Sequence, residues 1–111
     1  MATKQRTIAG ELIFSGKGLH TGLNVTMRVL PAEDNYGIVF RRVDIEGAPE
    51  VPALCEYVTD TSRGTTIEKG EAKVSTIEHI MSALWTLGVD NAVVEIDAPE
   101  TPIMDGSARE Y

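Results

Sequence analysis

An α+β fold is predicted by three features of the sequence: strand-like segments through most of the first 70 residues, one helical periodicity beginning at Ser75, and a β-branched run directly after it. In chain order, residues 7–14 (TIAGELIF) mix apolar and polar positions as a strand does. Residues 15–22 (SGKGLHTG) form a glycine-dense connection suited to a hairpin or short loop. Residues 24–32 (NVTMRVLPA) alternate cleanly, with Val25, Met27 and Val29 on one face and Asn24, Thr26 and Arg28 on the other, and Pro31 closes the strand. After the turn residues of AEDNYG, the segment IVFRRVDI reads as a further strand, which the prolines of EGAPEVPA break. An extended piece follows through Leu54 and Val58, then a short strand at TTIE with a turn at EKGE. The helix carries Ile77, Ile80, Met81, Leu84 and Leu87 at helical spacing, and Gly88 is its natural stop. The run AVVEIDA is the next strand. The turn-rich tail PETPIMDGSAREY offers Asp105 or Ser107 as the cap of a second helix that is cut off almost at once.

With 111 residues, 42% hydrophobic and 24% charged, the chain is ordinary globular material for one domain, able to bury a core but too short for two conventional units. Its formal net charge of -7 argues against nucleic acid or anionic lipid as a partner held by bulk electrostatics, with Arg41-Arg42 as the one local basic site to weigh. A lone cysteine, Cys55, has no partner for an internal disulfide and no second thiol with which to share a zinc ion. The amino terminus lacks the apolar run of a signal peptide, and no segment approaches the roughly 18 apolar residues of a membrane span. These features point to a cytoplasmic, soluble protein.

The chemistry concentrates at Glu78 and His79, an acid directly before one of only two histidines. Two accounts of Glu78 are open, and both can hold together. STIE matches a capping box in which Ser75 caps the helix and Glu78 reaches back to the Ser75 amide. Alternatively, Glu78 is a catalytic base. At roughly 100° per residue the apolar arc of the helix runs from Leu87 through Ile77 to Trp85, which leaves Glu78 at its border and His79 well outside it. His79 therefore faces solvent, a second domain or a site. In the first helical turn the positive end of the dipole favours an ionised carboxylate and a neutral imidazole, the forms of a base and of a metal ligand. One histidine does not hold zinc, however, and no H-x-x-x-H or C-x-x-C spacing exists, so the residues alone suggest half a site.

Four blocks, KQRTI, GKGLHTG, STIEHIMSAL with LGVDN, and APETPIMDGSA, occur in an order and at spacings that span nearly the whole chain. Through them the sequence resembles the amino-terminal domain of the UDP-3-O-acyl-N-acetylglucosamine deacetylases, the zinc amidases of lipid A biosynthesis. That resemblance implies a two-layer sandwich of a mainly antiparallel sheet against helices, with the second helix truncated here. Residues 1–111 would be the first of two similar domains, with the active site between them and the second domain absent. Glu78 matches the family's general base, and His79 matches the one Zn2+ ligand supplied by this domain. The remaining zinc ligands, a histidine and an aspartate, belong to the second domain, as do the histidine acid and the threonine supporting the oxyanion. The segment DTSRGTT matches a loop beside the metal and the glucosamine ring, which makes Ser62, Arg63 and Gly64 candidate substrate contacts, although bulkier residues are usual there. His20 matches a loop on the active-site side.

The resemblance thus implies a zinc-dependent deacetylase acting on a UDP-linked acylated glucosamine, inactive as this fragment. One competing expectation is a non-catalytic binding or scaffold module in which Glu78 is only a cap. Another is an unrelated zinc hydrolase that assembles its site across a homodimer. Loss of the second helix would uncover apolar surface and promote self-association.

Overall fold

A computed structural model describes residues 6–18, 21–61 and 64–102. The α+β class holds. Alternation makes the strands: in β2 (Asn24–Pro31) the odd positions Val25, Met27 and Val29 are buried and the even positions Asn24, Thr26 and Arg28 are exposed. β2 pairs antiparallel with β1 (Leu12–Lys17) on one side and with β8 (Ala92–Ile96) on the other. β8 in turn runs parallel to β3 (Ile38–Arg42), and β3 pairs antiparallel with β4 (Glu50–Pro52). The resulting five-stranded sheet has the order β1-β2-β8-β3-β4. β8 lies at its centre, and four of its five residues are buried, as the β-branched run AVVEI suggests.

After β4 a short 3-10 turn (Cys55–Tyr57) leads into a three-stranded antiparallel sheet of β5 (Val58–Asp60), β6 (Thr66–Lys69) and β7 (Ala72–Ser75). The single helix among the described residues, α1 (Glu78–Thr86), follows β7 almost directly. One apolar cluster joins these parts: β2, Phe40, Val51 and the inward residues of β8 meet Ile67, Ala72 and Val74 of the small sheet and Ile77, Ile80 and Leu84 at α1. The core therefore lies between the larger sheet and a second layer formed by α1 and the small sheet.

Polar pairing covers the opposite face of the larger sheet. Arg28 on β2 meets Glu11 and Glu95. Arg41 on β3 donates to Glu95 Oε2 at 3.1 Å and to Glu50 Oε2 at 2.7 Å, so five alternating charges cross the sheet along its register. Arg42 points inward and is buried. Its Nε and Nη2 donate to both carboxylate oxygens of Asp44 at 2.8 and 2.7 Å, and its Nη1 donates to the Lys73 carbonyl at 2.9 Å, tying β3 to β7. The Arg41-Arg42 pair is thus spent on internal carboxylates, which removes it as a basic binding site.

Several expectations change. The first strand begins at Leu12 and not at Thr7, because residues 6 and 7 lash the start of β8: the Arg6 carbonyl accepts from the Asp90 and Asn91 amides, and the Thr7 hydroxyl donates to the Asn91 carbonyl at 2.6 Å. β7 is an addition to the expected strands: its last residue, Ser75, is the expected helix start. Trp85 and Leu87, placed on the apolar arc, are 86% and 56% exposed. The buried stripe is the narrower set Ile77, Ile80, Ala83 and Leu84. The helix does end at Gly88, where the Gly88 and Val89 amides bond back to the Trp85 and Leu84 carbonyls in a Schellman arrangement. No helix among the described residues is long and apolar enough to cross a membrane. The expected second helix, with Asp105 and Ser107, lies outside the described residues.

Candidate active site

The capping box is overturned by the way the chain passes from strand to helix. Ser75 ends β7: its amide donates to the Pro99 carbonyl at 2.8 Å, and its hydroxyl accepts from Thr66 Oγ1 at 3.1 Å. With that amide occupied, no donor is left for Glu78 to reach. Thr76 then adopts φ +62, a left-handed conformation that costs a β-branched residue about 1–3 kcal/mol. Ile77 occupies the N-cap position without a side-chain cap, its side chain buried and its amide donating to the Thr65 carbonyl at 3.3 Å.

Glu78 therefore leaves the helix start toward the loop before β6 and not back along its own axis. Its Oε1 accepts the Thr65 amide at 3.0 Å, while Oε2 has no hydrogen bond among the described residues. Gly64 closes against it. At φ +104, a β-carbon on Gly64 would lie 2.9 Å from Glu78 Oε2 and 3.4 Å from Glu78 Oε1, so the carboxylate sits where any other side chain would intrude. The arrangement gives a half-buried carboxylate with one oxygen anchored and the other available to take a proton.

His79, one residue on, is exposed, as the helical wheel requires. Among the described residues no group of three His, Cys, Asp or Glu side chains is placed to hold a metal ion. An imidazole at this position fits one ligand of a metal set, and the other ligands would have to come from residues beyond those described. Next to the Gly64 loop a polar cleft of about 160 Å³ is lined by Thr21, Asp60, Gly64, Thr66, Lys73, Ser75 and Glu100.

Of the candidate site residues, Gly64, Glu78 and His79 are thus brought to one place, while His20, Ser62 and Arg63 lie outside the described residues. Sequence reasoning missed three contributors, Thr65, Thr76 and Glu100. Thr65 acts through its backbone amide and so leaves no side-chain signature. Glu100 had one available signal, an acid set between prolines and a threonine in DAPETPI.

The fold and the site define a class first: an α+β unit that presents an adjacent carboxylate and imidazole at an open helix start. The chain belongs to the LpxC family, described as UDP-3-O-acyl N-acetylglycosamine deacetylase, whose model matches residues 5–111. It is 53% identical over 108 residues to the UDP-3-O-acyl-N-acetylglucosamine deacetylase of Teredinibacter turnerae, covering 97% of this chain and 36% of that protein. Identity to the deacetylase of Legionella pneumophila strain Corby is 50%, with the same coverage, 97% and 36%. The bifunctional enzyme LpxC/FabZ of Bacteroides thetaiotaomicron is 49% identical over 108 residues, 97% of this chain and 23% of that protein. The chain spans about a third or less of the length of these curated relatives.

Proposed function

We propose that the chain is the amino-terminal part of a cytoplasmic, zinc-dependent deacetylase that hydrolyses the acetamide of UDP-3-O-(3-hydroxyacyl)-N-acetylglucosamine in lipid A biosynthesis. The observation that carries this reading is the Glu78 carboxylate, anchored at one oxygen and open at the other, beside an exposed His79 in a chain about half identical to named deacetylases. Glu78 takes the proton from the attacking water through its open oxygen, while the Thr65 amide keeps the carboxylate from rotating away. His79 would serve as one ligand of zinc, which would polarise the acetamide carbonyl and lower the pKa of water. Breaking the C–N bond releases acetate and the free amine. The other zinc ligands and the acid that protonates the amine come from a second domain, so this chain alone is inactive. Gly64, with Ser62, Arg63 and His20, would flank the sugar. Partners on this reading are the UDP-sugar and the second domain, with no nucleic acid.

The test is deacetylation of the UDP-sugar with zinc added, by the full-length protein and by residues 1–111 separately. Glu78→Ala in the full-length protein is expected to lower kcat by about 10²–10⁴-fold. Its melting temperature should fall by no more than the loss of the single Thr65 amide hydrogen bond accounts for, because the carboxylate is not the helix cap. Turnover by residues 1–111 alone at the full-length rate would overturn the divided site.

A further inference from the structure

Glu100 is only 1% exposed, yet it stands on the connection after β8, far in sequence from the residues it holds. Its Oε1 accepts the Thr21 amide at 2.9 Å, and its Oε2 accepts the Thr76 hydroxyl at 3.0 Å. Gly18 makes room for it, since a β-carbon there would lie 2.4 Å from Oε1. Thr76 is held a second time where its carbonyl accepts the Thr101 hydroxyl at 2.5 Å. The flanking backbone is stitched as well, with the Thr101 amide donating to the Ser75 carbonyl at 3.2 Å.

These contacts converge on Thr76, which with Asn35 and Ala48 is one of three non-glycine residues at positive φ among the described residues and the only β-branched one of the three, and it lies two positions before Glu78. Left to itself, a threonine would relax from φ +62 toward the ordinary helical or extended regions. Either change would rotate the first turn of α1 and carry Glu78 off the Thr65 amide. We propose that Glu100 and Thr76 form a buried latch that positions the Glu78–His79 pair, with Glu100 acting as a positioning residue through Thr76. The latch deepens the deacetylase reading and rests on it for its effect on rate, but its effect on geometry can be read without any activity.

Three variants separate the parts. Thr76→Gly accepts the left-handed backbone and loses the hydroxyl, Thr76→Ser keeps the hydroxyl, and Glu100→Gln keeps the size of the side chain while changing its charge and one acceptor. In residues 1–111, amide hydrogen exchange at Thr65 is expected to rise at least about tenfold in Thr76→Gly and Glu100→Gln, with exchange at Val94 in the core strand unchanged. Thr76→Ser should restore protection. In the full-length protein the first two variants should lower kcat about tenfold or more with KM within about twofold, and the double variant should be no worse than the poorer single one.

Unchanged Thr65 protection in both variants overturns the latch. So does equal loss of protection at Thr65 and Val94, which would make Glu100 a support of the whole fold. Absence of deacetylation by the unsubstituted full-length protein overturns the proposed function, while the exchange measurement still decides the latch.

Discussion

Gly64 faces Glu78 across a distance that leaves no space for a methyl group, and its φ of +104 is itself a conformation other residues resist. Gly64→Ala therefore meets two penalties at once. Either the loop withdraws and the Thr65 amide leaves the carboxylate, or Glu78 rotates out of its place against the loop. The substitution is expected to cost about 1–3 kcal/mol in a thermal melt. On the proposed deacetylase function, a misplacement of Glu78 by about 1 Å should lower kcat by up to roughly a hundredfold in the full-length protein. An alanine variant with full rate and stability would mean that this loop does not press on Glu78. Thr65 is different, because its contribution is a backbone amide that side-chain substitution leaves in place.

At the level of elements, β3 is joined to β7 through Arg42, whose guanidinium serves Asp44 and the Lys73 carbonyl together. The hydrogen bonds from Arg42 hold the Asp44 carboxyl below its ordinary value of 3.8. Its stabilising contribution is therefore present above that value and is lost as pH falls through the lower, folded value. Arg42→Met is expected to lower stability by about 1–3 kcal/mol at neutral pH, with the deficit shrinking in urea melts at about pH 3. A deficit independent of pH would assign the loss to packing alone. These elements also show where a sequence reading succeeds. β2 and β8 were legible because alternation and β-branching record burial directly. β7 was not, because AKVS is four residues long and runs into STIE, a pattern that serves equally well as a helix start. What decided between them is the pairing of Ser75 with the distant Pro99 and Glu100 segment, which local sequence does not encode. His79 was legible from the helical wheel, and Trp85 was misplaced because polarity was used to infer facing at the end of a short helix.

Taken as a whole, the molecule leaves Trp85 and Leu87 of the α1 region uncovered, and at helical spacing Glu78, Ser82 and Trp85 share the side of α1 opposite its buried stripe. Whatever covers the tryptophan would thus also approach Glu78. Residues 1–111 alone are expected to show solvent-like tryptophan emission, open to iodide quenching, and concentration-dependent association by sedimentation. Trp85→Glu should suppress that association without lowering the melting temperature, and a strictly monomeric parent at high concentration would remove the basis for it. The position of β8 has a different consequence, for the order of events during synthesis. The central strand of the larger sheet is made last among its five, about 65 residues after β2 is complete, so the β1-β2 hairpin and the β3-β4 pair cannot be joined until β8 arrives. At about 5–20 residues per second this is a wait of roughly 3–13 s, during which Val25, Met27 and Val29 present an apolar strip to the surroundings of the ribosome. A nascent chain of this protein is therefore a natural client for chaperones until Ile96 has emerged.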